Sequence, residues 1–534
     1  MAISKQGGPM QTEDRSKGRL IIVSNRLPIV LKQDPEGKWR SEPGSGGLVT
    51  ALAPVLRGSG GLWIGWPGVT ETANLDLAGL LGDTVSDAGY ALAPVVLSRR
   101  DVKRYYYGFA NEILWPLFHD MQTRCNFDPG YWQVYRKVNR TFAAAVMAAA
   151  NKNDHIWVHD YHLMGVGLEL QERWPDVRVG YFLHIPFPSP DIFLKLPWRL
   201  EILNALLAYD LVGLQTRRDQ RNFVDCIRLM RKDVVVQGSG KLVCAIVDGR
   251  QVRIGNFPIS IDVDEFADRA GSAEVDRRVA EIQADLNTQS SRRNLLLGVD
   301  RLDYSKGIPE RLKAFANVLE RFPHLRETIS LVQIVIPSRV RIPKYQDLKL
   351  DIERLVSAIN GRYAQTDWVP IHYIFRSVDR TELVALYRAA DIALITPLKD
   401  GMNLVAKEYC AANIAQDGVL ILSEFAGAAD QLQKEALIVN PFDVEKVAEA
   451  IATACGMPLK EKRRRMRALQ RKVRRSDVFG WVDAFLNALL ALDPKTPQPL
   501  GDDRPAEDSA RLHDRPGRQV WMPVVSLKRR SAGS

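Results

Sequence analysis

The chain has 534 residues, 46% of them hydrophobic and 25% charged, and a formal net charge of +10. That length is too great for a single core, so two domains are the first expectation, and the composition is ordinary for a globular chain. The apolar runs have strand length, short of the roughly 18 uninterrupted residues of a membrane span, and the start MAISKQGGPMQTEDRSKGR has no apolar leader core; a cytoplasmic chain without a membrane span is expected.

Five cysteines, Cys125, Cys226, Cys244, Cys410 and Cys455, are an odd number with no CxxC spacing, which argues against a disulfide framework or a zinc site. The positive charge suggests a nucleic-acid partner only until it is located. Leu459 to Arg475, LKEKRRRMRALQRKVRR, holds ten Lys or Arg against one Glu, so the rest of the chain is nearly neutral and no nucleic acid is implied. Its spacing gathers Met466, Leu469 and Val473 on one side and predicts an amphipathic surface helix with a solvated basic face, contact with a membrane surface or polyanion being the alternative.

In chain order, residues 1–18 are polar and glycine-containing and are predicted to be disordered. Strands are predicted at RLIIVS (19–24), HIWVH (155–159), RVGYFLH (178–184) and YDLVGLQ (209–215). A second series follows at NLLLGVD (294–300), LVQIVIP (331–337), IHYIF (371–375), DIALIT (391–396), GVLILS (418–423) and ALIVN (436–440). Continuous apolar strands separated by helix-length segments belong to parallel sheets covered on both faces. The fold class is therefore α/β, with two doubly wound Rossmann-like domains over residues 19–258 and 259–475. The break falls in IGNFPISIDVDEF (254–266), which contains Pro258. Residues 476–493 are expected to form a helix packing back on the domains, and residues 494–534, rich in Pro, Asp and Arg, a second disordered tail.

Ligands of open α/β sheets sit beyond the carboxyl ends of the strands. VDRLDYSKG (299–307) leaves a strand there and offers Arg301 and Lys306 on either side of a turn into a helix. Two fixed cations near a helix N-terminus suit a diphosphate; surface salt-bridging is the competing reading. Neither GxxxxGK[ST] nor an opening GxGxxG is present, which weakens ATP hydrolysis and nicotinamide binding. In TPLKDGMNLVAKEYCAA (396–412), Gly401 lets a ligand approach the backbone, and the amides of Met402 to Leu404 open a helix as a second anion cradle. Glu408, one turn in, is placed to accept both hydroxyls of a ribose, unless it serves a basic neighbour such as Lys407.

The motifs VSNRLP, SGGL, GGLWIGWPG, LWPLFH, HDYHL, FLHIPFPSPDIF, DRLDYSKGIPERL, INGRY and ITPLKDGMNLVAKEY stand in this order over roughly residues 19–490. Together they resemble the trehalose-6-phosphate synthase family. The resemblance implies a GT-B fold, its two Rossmann-like domains facing a central cleft, and a retaining transfer of glucose from UDP-glucose to C1 of glucose 6-phosphate. By motif, Arg301 and Lys306 would clasp the donor diphosphate, the backbone at Val378 would meet the uracil, and Glu408 would hold the ribose. Gly401, Met402, Asn403, Leu404, Val405, Ala406 and Lys407 would line the donor phosphate and sugar, Asp400 would bind glucose hydroxyls, and His184 would lie beside the anomeric carbon. Gly46 and Gly47 would form a loop closing over the donor. Arg26 and Arg339 would bind the acceptor phosphate, Asp160 the acceptor hydroxyls, and Trp63, Trp66, Tyr106 and Trp115 would shape the acceptor pocket, although a tryptophan at position 63 or 66 is more often core.

A retaining glycosidase needs a carboxylate nucleophile about 5 Å from an acid carboxylate. No such pair is evident in the sequence, so a front-face route is expected, with His184, Asp160, Asp400, Arg301 and Lys306 as the catalytic set. Asp262 and Asp264 imitate a DxD metal motif but fall in the interdomain connection, and His159 and His162 lack further ligands at a recognisable spacing; no metal and no other cofactor is expected. Glucosylglycerol-phosphate synthesis from ADP-glucose and glycerol 3-phosphate, or a catalytically silent sugar-phosphate-binding regulator, are the competing readings. The sequence leaves the donor base open, and a homo-oligomer is expected.

Overall fold

The computed structural model describes residues 18–491 except 35, 45–47, 50–51, 54–55, 57–59, 71–76, 78, 82–88, 287–292 and 340–341. Apart from Gly18, both tails expected to be disordered lie outside the described residues, as do Gly46 and Gly47.

The β-branched run LIIVSNR forms β1 (Leu20–Arg26), buried on both faces until Arg26 emerges at its end. β2 (Ile29–Gln33) and β3 (Trp39–Pro43) follow as a separate antiparallel ribbon. β4 (Leu62–Trp66), β5 (Ala91–Pro94), β6 (His155–His159), β7 (Val179–Phe182) and β8 (Leu211–Leu214) join β1 in a parallel array ordered β5-β4-β1-β6-β7-β8. β9 (Val235–Gln237), β10 (Leu242–Val247) and β11 (Arg250–Asn256) extend it, β11 parallel to β8 and the outer two antiparallel. This antiparallel edge departs from the all-parallel expectation. β9 is largely exposed and β11 mixes polar with apolar residues, so these two lack the uninterrupted apolar signature that marks the centre of a sheet, whereas β10 (LVCAIV) carries it.

The second sheet contains β12 (Asn294–Arg301), β13 (Ile329–Ile336), β14 (Ile371–Ile374), β15 (Ile392–Ile395), β16 (Val419–Ser423) and β17 (Leu437–Val439). Its order, β14-β13-β12-β15-β16-β17, is that of a doubly wound sheet in which winding reverses between the first and fourth strands. The first sheet reverses in the same way between β1 and β6. Each sheet therefore has one crevice at its carboxyl edge, and both crevices are lined by the loops singled out in the sequence.

The chain crosses between sheets after β11. The Phe257 amide still donates to Leu214 of the first sheet, at 2.8 Å, whereas the helix Val263–Ala270 packs against the helices of the second. The basic helix Leu459–Arg474 buries Met466, Leu469 and Val473 and lies on the helix Leu404–Ala412. The last helix, Val478–Leu490, returns to the first sheet. Its Phe485 stacks on Trp157 with ring centroids 4.2 Å apart, over Gly180 and Gly213, where a side chain would collide with the ring. Among the described residues, no helix is long and apolar enough to cross a membrane.

Candidate active site

At the reversal point of the first sheet, β1 ends at Arg26 and β6 leads into Asp160. Asp160 has φ of 73°, a left-handed conformation that costs a non-glycine residue energy and that is concentrated at functional sites. Its carboxylate accepts the His184 amide at 3.2 Å. Burial pushes its pKa up to about 6, against the opposing effects of the Tyr161 and His184 amides and of Arg301 and Arg339. His184 follows β7; burial holds its pKa down to about 3, so it is neutral at pH 7.

The Arg26 guanidinium lies over the Trp66 ring at 4.7 Å, and Trp66 donates its N–H to the Val69 carbonyl at 2.7 Å. Tyr106 packs against Trp66 at 6.1 Å and stacks on His162 at 5.7 Å. It is carried by Val102–Leu114, a π-helical segment whose wide turns occur most often at functional sites. Trp115 follows directly.

At the reversal point of the second sheet, the Lys306 ammonium lies 2.6 Å from Asp400 Oδ2, and the Asn403 side-chain Nδ2 donates to the same oxygen at 3.0 Å. Between Arg301 and Lys306 lies Asp303, which accepts from Arg339 at 3.0 Å, from the Trp115 indole at 3.3 Å and from the Ser305 amide at 3.0 Å. Burial alone would raise the Asp303 pKa, but Arg339, Lys306 and Arg301 outweigh it and hold the group below the usual carboxylate range. Arg339 also donates to the hydroxyls of Tyr345 (2.7 Å) and Tyr161 (3.2 Å) and lies 4.1 Å over the Trp115 ring. Arg301 is exposed and stands 5.9 Å from that ring.

The halves meet in backbone as well. A Cβ on Gly401 would lie 2.0 Å from the His184 carbonyl oxygen; within the second half, one on Gly427 would lie 1.8 Å from the Gly401 oxygen. Asn403, at φ of 71°, turns the chain into the helix Leu404–Ala412, whose first amides have no intrahelical acceptor. Glu408 accepts from the Tyr387 hydroxyl at 2.7 Å, and burial raises its pKa. The cleft thus sets cations and helix amides from one half beside a buried carboxylate and a neutral histidine from the other, an arrangement that can stabilise negative charge on a departing group.

Residues 18–491 match the profile of glycosyltransferase family 20. The chain belongs to that family. It is 42% identical over 497 residues to trehalose-6-phosphate synthase of Mycobacterium avium, covering 92% of this chain and 99% of that one. Among solved structures it is similar to an α,α-trehalose-phosphate synthase (UDP-forming) from Burkholderia xenovorans in complex with glucose-6-phosphate. The TM-score is 0.80 at 38% identity, over 89% of this chain and 100% of that one. The E. coli enzyme bound with UDP-2-fluoro glucose gives 0.78 at 35% identity, over 89% and 100%. The expected GT-B fold, two Rossmann-like domains, holds for this family-20 chain.

Three expectations for the site change. Trp63 belongs to the core: it has no exposed surface, its N–H donates to the Ser24 hydroxyl at 2.8 Å, and its ring packs against Tyr90. Gly401 admits the backbone of His184, where the sequence suggested a ligand. The Lys407 side chain meets no charged partner among the described residues; its ammonium donates to the Ile259 carbonyl of the interdomain connection at 2.7 Å. Arg26, Trp66, Tyr106, Trp115, Asp160, His184, Arg301, Lys306, Arg339, Asp400, Asn403 and Glu408 all lie at the carboxyl edges just described. Met402 is buried, Leu404, Val405 and Ala406 form the first turn of the helix, and Val378 lies half-buried in the loop after β14. Asp303, Tyr161, Tyr345 and Tyr387 were not singled out; Asp303 stands within DRLDYSKG, whereas the tyrosines meet their partners only in the folded chain.

Proposed function

We propose that this family-20 chain transfers glucose from UDP-glucose to glucose 6-phosphate, giving α,α-trehalose 6-phosphate and UDP with retention. The observation that carries the reading is the Lys306–Asp400 contact, with Arg301 close by and the amides of Leu404–Ala412 beside it, joined to Asp160 and His184 through the Gly401–His184 approach. In this reading Arg301, Lys306 and the helix amides hold the diphosphate, Glu408 takes the ribose, Val378 meets the base, and Asp400 and His184 flank the donor sugar. Arg26 and Arg339 hold the acceptor phosphate, Trp66, Tyr106 and Trp115 wall the acceptor, and Asp160 binds its hydroxyls.

The bond from the donor anomeric carbon to the diphosphate oxygen breaks, and the C1 hydroxyl of glucose 6-phosphate forms the new bond on the same face. Its proton passes to the departing phosphate oxygen. Preorganised cations stabilise the charge that develops on that oxygen, and no side-chain nucleophile takes part. A covalent glucosyl-enzyme trapped with Asp160→Asn or Asp400→Asn would contradict this route. The reading requires no metal, since fixed cations already face the diphosphate. Asp262 caps its own helix by accepting from the Glu265 amide at 3.0 Å, and Asp264 pairs with Arg474, so the DxD sequence is engaged away from the cleft. Activity should persist in excess chelator; complete, metal-reversible loss would overturn that statement.

The deciding experiment offers UDP-, ADP- and GDP-glucose against glucose 6-phosphate and glycerol 3-phosphate and identifies products by mass and NMR. The expected product is the α,α-linked disaccharide phosphate from UDP-glucose and glucose 6-phosphate. Product from glycerol 3-phosphate alone would make the chain a glucosylglycerol-phosphate synthase, and no product from any pair would make it a binding protein.

A further inference from the structure

His159, the last residue of β6, has no exposed surface, and its Nδ1 lies 3.0 Å from Nε2 of His184. The two rings lie 5.3 Å apart and are inclined by 29°. The other nitrogen of His159, Nε2, is buried and meets no hydrogen-bonding partner among the described residues. The rings of Trp157 and Phe182 lie 4.7 and 6.4 Å from that of His159. His162, its companion in HDYH, is turned away and stacks on Tyr106.

Two neutral imidazoles joined by one hydrogen bond can share the proton in two ways. If Nε2 of His184 carried it, the only N–H of His159 would be Nε2–H, a buried donor with no acceptor. If Nδ1 of His159 carries it, what remains unpaired on His159 is a lone pair, and the His184 proton is left on its own Nδ1. Orphaned buried N–H donors are rarer than unpaired acceptors, which decides for the second arrangement. Burial lowers the pKa of both rings, which keeps the pair uncharged at neutral pH.

We propose that His159 is a positioning residue: its Nδ1–H fixes His184 as the neutral tautomer whose only ring donor is Nδ1–H. The tautomer follows from the geometry of the neutral pair. Its consequence rests on the transfer reaction proposed above: His184 gives a hydrogen bond to a sugar oxygen and is not the acceptor of the hydroxyl proton, which leaves the departing phosphate oxygen in that role.

The test labels the full chain with ¹⁵N-histidine and reads ring nitrogen shifts at neutral pH, with His184→Gln to assign the signals. Wild type should show His184 protonated on Nδ1 and bare on Nε2; protonation on Nε2 would overturn the proposal whatever the enzyme's activity. In the kinetic arm, His159→Leu should lower kcat about ten-fold or more, roughly the loss of one hydrogen bond in the transition state, with both KM values unchanged. His159→Asn, whose amide N–H stands in for Nδ1–H, should restore most of that loss at a similar melting temperature. Equal losses in the Asn and Leu variants would overturn the positioning role. A wild-type protein that makes no disaccharide phosphate would sink the transfer reading while the nitrogen shifts still decide the tautomer.

Discussion

The Cα of Gly401 rests against the backbone carbonyl oxygen of His184, so close that a methyl group at position 401 would lie 2.0 Å from that oxygen. Gly401 belongs to the turn after β15 and His184 to the loop after β7, so the contact sets the distance between the ligand edges of the two sheets. Because both sides are backbone, neither can yield by rotating a side chain. Gly401→Ala should force the edges apart, and a displacement of about 1 Å is enough to cost about 100-fold in kcat/KM. The melting temperature should move by only about 3 °C, since the contact lies at the cleft and not in either core. An unchanged kcat/KM would show that the cleft closes without this contact.

Arg339 is planar, buried and shared among Asp303, Tyr345, Tyr161 and the face of Trp115. Lysine keeps the charge but neither stacks nor reaches several acceptors at once. Arg339→Lys should therefore raise the KM for glucose 6-phosphate about ten-fold, a loss of about 1.4 kcal/mol, and leave the KM for UDP-glucose within about two-fold. Arg339→Ala should in addition destabilise the fold by about 3 kcal/mol or more, because Asp303 is left buried without its strongest partner. Urea titration and steady-state kinetics separate the two effects; a raised donor KM with a normal acceptor KM would misplace the phosphate site.

The sheet strands read from the sequence are present because strands covered on both faces leave an uninterrupted apolar signature, and the rule that ligands gather at their carboxyl ends located most of the site. Trp63 and Trp66 carry a further signal in their spacing. On a strand, residues three apart point to opposite faces, so both indoles of β4 could not wall one pocket. What could not be read is pairing across the chain. Tyr387 and Glu408 stand 21 residues apart, His159 and His184 25, and Asp303 and Arg339 36, and nothing in local spacing announces which side chains the winding will bring together. Lys407 belongs here too, since its acceptor is a main-chain carbonyl 148 residues away and carries no residue signature.

Asp160 titrates at about 6 because burial disfavours its charged form. In its proposed role as acceptor of hydroxyl hydrogens it must be ionised, so kcat/KM for glucose 6-phosphate should fall as pH drops through about 6, approaching ten-fold per pH unit below it. The substrate phosphate titrates in the same region, and Asp160→Asn supplies the control: its profile should keep the substrate's limb and lose the enzyme's. Profiles of the same shape in wild type and variant would remove Asp160 from this role.

Lys407 is fully enclosed, and burial lowers its pKa to about 7. An unfolded lysine keeps its proton to about pH 10.4. Between those values the unfolded state binds more protons than the folded one, so stability contributed at this site rises with pH and is lost as pH falls through 10 toward 7. Wild-type stability relative to Lys407→Met should accordingly increase by about 1 kcal/mol per pH unit between pH 7 and 9, read from urea midpoints at each pH. The same substitution removes the donor to the Ile259 carbonyl and with it the tether between the helix Leu404–Ala412 and the interdomain connection. UDP binding should survive, because the Lys407 side chain points at the connection and the helix amides proposed to hold the diphosphate are untouched. Parallel stability curves from pH 7 to 9 would show that Lys407 stays protonated when folded, and lost UDP binding would place its side chain in the nucleotide site.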